Sequence, residues 1–186
     1  MIRRAIVTST AVLFLAFAFP LTASAQSIYV LAGASLPTGD YGDEDTFDAE
    51  TGWLAAAGVT IPVGEAGLWV GAEGMYGRNG IADIDESFKL FSVMGIVGYD
   101  IPTESTVSPY VWGGAGLMSV STTFEDSESE SGFGWQLGAG VGFETGGNIN
   151  PFVEARYQSG SIDLDEESFT VSLIGLEAGV SIGLGD

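Results

Sequence analysis

From Phe133 to Phe143 the chain reads FGWQLGAGVGF, and this segment constrains the fold more than any other. Every second residue is large or apolar: Phe133, Trp135, Leu137, Ala139, Val141 and Phe143. Between them stand Gly134, Gln136, Gly138, Gly140 and Gly142. Strict alternation gives a strand with two different faces. An ordinary half-buried strand turns charged or hydroxyl side chains to water, and glycine is a poor strand former. A greasy face backed by a bare one needs an apolar medium outside and very little room inside. A narrow barrel crossing a lipid bilayer supplies both.

The rest of the chain repeats the requirement. Eight alternating or apolar runs cover roughly residues 27–36, 52–62, 67–78, 88–100, 108–120, 132–144, 150–159 and 169–184. Each has about the ten residues a tilted strand needs to span the hydrocarbon. No segment after residue 25 carries a sustained helical period. The predicted fold is all-β: an eight-stranded antiparallel up-and-down transmembrane β-barrel over residues 26–186. Residues 1–25 read as a signal peptide, with Arg3 and Arg4, the apolar run Ala11 to Phe19, Pro20, and Ala23-Ser24-Ala25 before a cleavage point at Gln26. An uncleaved anchor is the alternative.

The connections are of two kinds. DYGDEDTFDAE, GIADIDES, TTFEDSESES and SGSIDLDEES are acidic and hold 17 of the 25 carboxylates. VGEAG, IPTEST and TGGNIN are shorter or rich in turn residues. Acidic loops at one end and tight turns at the other fit an outer-membrane barrel of Gram-negative type, with the acidic ends outside the cell. Beyond residue 25 only Arg78, Lys89 and Arg156 are basic. No basic patch exists to neutralise phosphates, so nucleic acid is excluded as a partner. The chain has no cysteine, hence no disulfide and no thiolate metal site.

Side-chain parity sorts the strands. Leu68, Val70, Ala72, Gly74 and Tyr76 point outward, leaving Trp69, Glu73 and Met75 inside. Val111, Gly113, Ala115 and Leu117 are outward, with Tyr110 and Trp112 inside. Val153, Ala155 and Tyr157 face out, so Glu154, Arg156 and Gln158 face in. Ile174, Leu176, Ala178, Val180 and Ile182 face out and Glu177 in. The first strand is ambiguous, since both faces of IYVLAGASL are apolar. The mid-strand charges therefore converge as a lumen cluster of Glu73, Glu154 and Glu177 around Arg156. Its readings are a polar plug that fixes the interior, a gate for small ions, or a proton relay or ligand site.

Arg78 and Lys89 have outward parity beside the second acidic connection. They suit the phosphates of lipopolysaccharide, or else pair with Asp83, Asp85 or Glu86. Tyr99 and Phe143 on the turn side, and Trp53, Phe133 and Tyr157 on the loop side, are placed as interfacial girdles. Asp40, Asp43, Glu44, Asp45 and Asp48 offer oxygen ligands for a weak divalent cation. They lack the spacing and glycine of an EF-hand loop, so no firm metal site and no cofactor is expected.

SPYVWGGAGLM and INPFVEARYQSG, set in the eight-run layout, resemble the small outer-membrane barrels of the OmpA transmembrane-domain, OmpX and opacity-protein type. The resemblance implies an interior charge cluster, a role that Glu154 and Arg156 match most closely and Glu73 and Glu177 less so. The end GVSIGLGD departs from the pattern by lacking a terminal aromatic, leaving Leu184 to present itself to the barrel assembly machinery. No wall-binding domain of the kind that full OmpA relatives carry is read in residues 26–186, so an anchoring role to the wall is not expected. Enzymes of this barrel type use histidine, and this chain has none, which excludes a Ser–His or Asp–His mechanism. The expected function is a non-catalytic, monomeric outer-membrane barrel with a structural or surface-interaction role, in contact with lipid and lipopolysaccharide. The alternative is a narrow porin-like channel or a transport barrel for small solutes or hydrophobic compounds. A soluble lipocalin-like barrel would leave the glycine face in water nearly uncharged.

Overall fold

The computed structural model describes residues 26–122, 129–164 and 167–185, with side chains described for these except 163, 164, 167 and 168. The expected signal peptide and most of TTFEDSESES lie outside the described residues. Eight strands form one closed antiparallel barrel in sequence order: β1 (Ser27–Thr38), β2 (Gly52–Pro62), β3 (Leu68–Ile81), β4 (Ile84–Asp100), β5 (Val107–Thr122), β6 (Glu130–Phe143), β7 (Ile149–Leu164) and β8 (Glu167–Gly183). β1 pairs with β8 from Ser27↔Gly183 to Thr38↔Ser172, so no free edge remains. Among the described residues no helix is long and apolar enough to cross a membrane.

The faces divide as the alternation requires. Phe133, Leu137, Val111, Leu117, Val153 and Leu176 lie exposed on the outside, while Gln136, Arg156 and Gln158 are buried inside. β1 is now settled: Ile28 and Val30 face out, Leu31 is buried in the lumen, and Tyr29 reaches a lumen carboxylate. The expected girdle residues Trp53, Tyr99, Phe133, Phe143 and Tyr157 are all exposed on the outer face.

Glycine makes the lumen possible by lying opposite its bulky residues. Tyr29 pairs in register with Gly58, Trp69 with Gly98, Trp112 with Gly138, Tyr110 with Gly140 and Phe152 with Gly179. At each of these glycines a methyl group would collide with the partner's ring. The rings thus lie over neighbouring backbone, where only glycine leaves them room.

Two connections differ from the sequence reading. GIADIDES is mostly strand: β3 and β4 run on to Ile81↔Ile84, past an irregularity at Gly80/Ile81, and turn through Ala82 and Asp83 with Asp83 at φ 62°. Ile81 and Ile84 continue the strand pairing into the connection, which a count of membrane-crossing residues does not anticipate. The first connection, expected as a solvated acidic loop, folds down over the barrel mouth. Its short 3₁₀ turn, Gly39–Tyr41, delivers Tyr41 into full burial. Ala49 is also buried. Tyr41 and Phe47 pack edge-on against Phe88 at 5.4 and 5.8 Å between ring centres, and Phe47 against Phe169 at 5.3 Å. Burial raises the Tyr41 phenol above its ordinary pKa, so it stays protonated.

Candidate functional site

The lumen is built in layers from the turn end to the loop end. Arg156, from β7, is the hub. Its Nη1 and Nη2 donate to Glu73 Oε1 and Oε2 at 2.6 and 3.1 Å, a two-pronged pairing that crosses the barrel to β3. Nη2 also donates to Glu154 Oε1 at 3.1 Å, and Nε lies 2.7 Å from Glu177 Oε1. All four predicted cluster residues therefore meet, and the Arg156 side chain is fully enclosed.

Neutral groups complete the network. Tyr29 donates its hydroxyl to Glu73 Oε2 at 2.8 Å and Tyr110 to Glu154 Oε2 at 2.7 Å. Gln136 donates Nε2 to Glu73 Oε1 at 3.1 Å and accepts from Arg156 Nη1 at 3.3 Å. The Trp112 ring lies 5.0 Å from the guanidinium carbon of Arg156. Glu177 differs from its neighbours, because neither of its oxygens receives a well-directed hydrogen bond among the described residues. Charge is the other notable feature: three carboxylates surround one guanidinium.

Tyr29 and Gln136 were not assigned to this cluster from sequence. Gln136 was findable, since it is the one polar residue on the inward face of FGWQLGAGVGF. Tyr29 was not, because the parity of its strand was undecided.

Toward the loops the lumen is mainly apolar. Leu54, Met75, Leu90, Met94, Met118 and Leu173 fill it and are almost wholly buried. Above them Asn79 ties the first connection down. Its Nδ2 donates to the Glu50 and Ser35 carbonyls at 2.8 and 3.2 Å, and its Oδ1 accepts from Ser35 Oγ at 3.0 Å and Tyr41 OH at 3.4 Å. Backbone bonds from Glu50 to Gly80 (2.9 Å) and from Ala82 to Asp48 (3.1 Å) bind the same connection to the β3–β4 hairpin. Toward the turns the lumen opens instead into a cavity of about 780 Å³, floored by Glu73 and Glu154.

The other predicted site residues lie apart from this axis. Arg78 and Lys89 are direct register partners on β3 and β4, with Arg78 Nε donating to Ser87 Oγ at 2.8 Å. Asp40, Asp43, Glu44 and Asp45 are exposed on the first connection, and Asp48 is half-buried. Among the described residues no group of three or more carboxylates is arranged to hold a metal ion.

These features agree with the comparisons. A model of the outer membrane protein beta-barrel domain matches residues 9–182. The 22 kDa outer membrane protein of Rhizobium leguminosarum bv. viciae is 37% identical over 123 residues, covering 62% of this chain and 49% of that protein. The match thus spans about half the length of this curated relative. Neisserial surface protein A superposes with a TM-score of 0.71 at 19% identity, over 85% of this chain and 96% of that one. Ail of Yersinia pestis does so with a TM-score of 0.52 at 22% identity, over 86% and 99%. At such identities the two structures share the fold alone. With a closed eight-stranded barrel, a lipid-facing apolar exterior and a family match over nearly its whole length, the chain belongs to the outer membrane protein beta-barrel domain family.

Proposed function

We propose that this protein is a non-catalytic, non-conducting barrel of the outer membrane, whose acidic outward connections form its presented surface. The observation that carries this reading is the double obstruction of the lumen, by the Arg156 layer and by the first connection seated on the mouth. In this reading residues 1–25 direct export and are removed, and the assembly machinery inserts a monomer. The absence of histidine supports the non-catalytic role. The purified barrel in a planar lipid bilayer is expected to show no stable single-channel steps. Tyr41→Ala, which removes the buried ring of the first connection, should leave it silent, because the Arg156 layer still blocks the path. Discrete wild-type steps would establish the narrow-channel alternative instead.

The outward surface carries a second part of the reading. Arg78 and Lys89 are register partners on adjacent strands at the loop end, and in this reading they meet lipopolysaccharide phosphates at the outer leaflet. Trp53, the register partner of Arg78 on β2, supplies an interfacial aromatic beside them. The acidic connections then join the anionic cell surface through loosely held divalent cations, with Asp40, Asp43, Glu44, Asp45 and Asp48 among the contributors. Changing Arg78 and Lys89 together to glutamine should reduce the lipopolysaccharide that co-purifies by several-fold while leaving heat-modifiable migration intact. Unchanged retention would assign the two cations to pairing within the protein.

A further inference from the structure

The cavity at the turn end has no part in a purely structural barrel, and its walls are specialised. It is a dead-end vestibule that faces the periplasm, since the short turns lie at that end and the acidic connections at the other. Its volume, about 780 Å³, lies within the range of sites for small organic ligands. Among the described residues no basic side chain lines it. At the floor Glu73 and Glu154 stand beside an arginine already shared with Glu177, so carboxylates outnumber the cation by two. Asp100 and Glu144 at the rim add the same sign. A low-dielectric funnel lined by one charge concentrates its counter-ion.

The wall chemistry narrows what that counter-ion is. Phe152 stands between Tyr29 and Tyr110, edge-on to both at 6.1 and 6.4 Å, and Trp69 and Trp112 complete an aromatic enclosure. Ring faces attract a cation, and most strongly one too weakly hydrated to prefer water. A small inorganic ion would leave most of this volume unused, and no metal-holding group of carboxylates exists among the described residues.

We propose that the periplasmic vestibule is a binding site for an organic ammonium ion, held by the aromatic walls over Glu154 and Glu73. The ligand class is an amine or quaternary ammonium with an apolar body. The site does not depend on whether the barrel conducts, because the vestibule ends at the Arg156 layer.

Benzyltrimethylammonium is the probe, titrated into the full barrel in nonionic detergent and followed by tryptophan fluorescence and calorimetry. Its uncharged carbon isostere, 2,2-dimethylpropylbenzene, and calcium chloride are titrated in parallel. The proposal expects saturable binding of the ammonium with a Kd below about 1 mM, weakened at least tenfold in the isostere. Glu154→Gln should weaken it about tenfold, and Trp69→Phe combined with Trp112→Phe should abolish most of the fluorescence response. Because Glu154 also serves the plug, the rim variant Glu144→Gln is measured too, and a two- to threefold loss that high salt removes is expected there. Equal binding of the isostere would make the vestibule a mere apolar recess and overturn the proposal. Competition by calcium at low millimolar concentration would replace the organic cation with a metal ion, and no saturable binding would also end it. A silent bilayer trace with positive ammonium binding separates this result from the non-conducting reading, which stands or falls on conductance.

Discussion

Replacing Arg156 with leucine is expected to destabilise the barrel by about 3–5 kcal/mol, the cost of removing one partner from a buried ion-paired set. The guanidinium is enclosed and is the only cation among three carboxylates that lie within 2.6 to 3.1 Å of it. Leucine leaves those carboxylates facing one another inside hydrocarbon walls, with only Tyr29, Tyr110 and Gln136 to donate to two of them. Water in the vestibule reaches Glu154 more readily than Glu177, so the cost falls most heavily on the latter. Urea unfolding of the refolded barrel in lipid, followed by heat-modifiable migration, measures the change. An unchanged midpoint would mean that Arg156 does not occupy the lumen. Glu177→Leu provides the internal contrast. Its oxygens lack well-directed donors, and its removal relieves like-charge crowding while Arg156 keeps two partners, so it should cost under about 1 kcal/mol or stabilise.

Gly138→Val is expected to destabilise the barrel as well, for a steric reason. A Cβ at Gly138 would fall within the Trp112 indole, and both residues are fixed in register between hydrogen-bonded strands. The ring cannot yield freely, because Arg156 packs against it at 5.0 Å and the plug lies beyond. Overpacking of this kind costs about 1–3 kcal/mol. The collision can be tested by compensation. Trp112→Ala alone loses packing, but Gly138→Val combined with Trp112→Ala should recover much of the stability, giving a coupling of about 1 kcal/mol or more. Strict additivity would show that the two residues do not touch.

The fold was legible wherever one face of a strand was uniformly apolar and the other was not. That condition holds for β3, β5, β6, β7 and β8, and its parity puts Glu73, Glu154, Arg156 and Glu177 on the lumen face, where Arg156 reaches all three carboxylates. It fails for β1, because the lumen alternates between polar and apolar levels and β1 meets it with both Tyr29 and Leu31. Leu31 faces the interior beside apolar neighbours, so both faces of its strand read alike. The loop end was misjudged for a different reason. Strand pairing there continues into the connection, held by hydrogen bonds that are indifferent to the acidic side chains between them. Tyr41, Phe47 and Ala49 were visible as apolar residues within an acid-rich connection, but an average over that segment hides them. The vestibule was not legible at all, since it depends on how the turns frame the barrel's open end.

The aromatic–glycine pairs have a consequence for assembly. Tyr29–Gly58 joins β1 to β2, Trp69–Gly98 joins β3 to β4, Trp112–Gly138 and Tyr110–Gly140 join β5 to β6, and Phe152–Gly179 joins β7 to β8. Every one of these pairs lies within a hairpin whose turn is at the outward end, and none bridges two hairpins. A slip of one residue within a hairpin would set a ring against a side chain and turn its lipid face inward. Each outward hairpin therefore carries its own steric check on register, independent of the strands on either side of it.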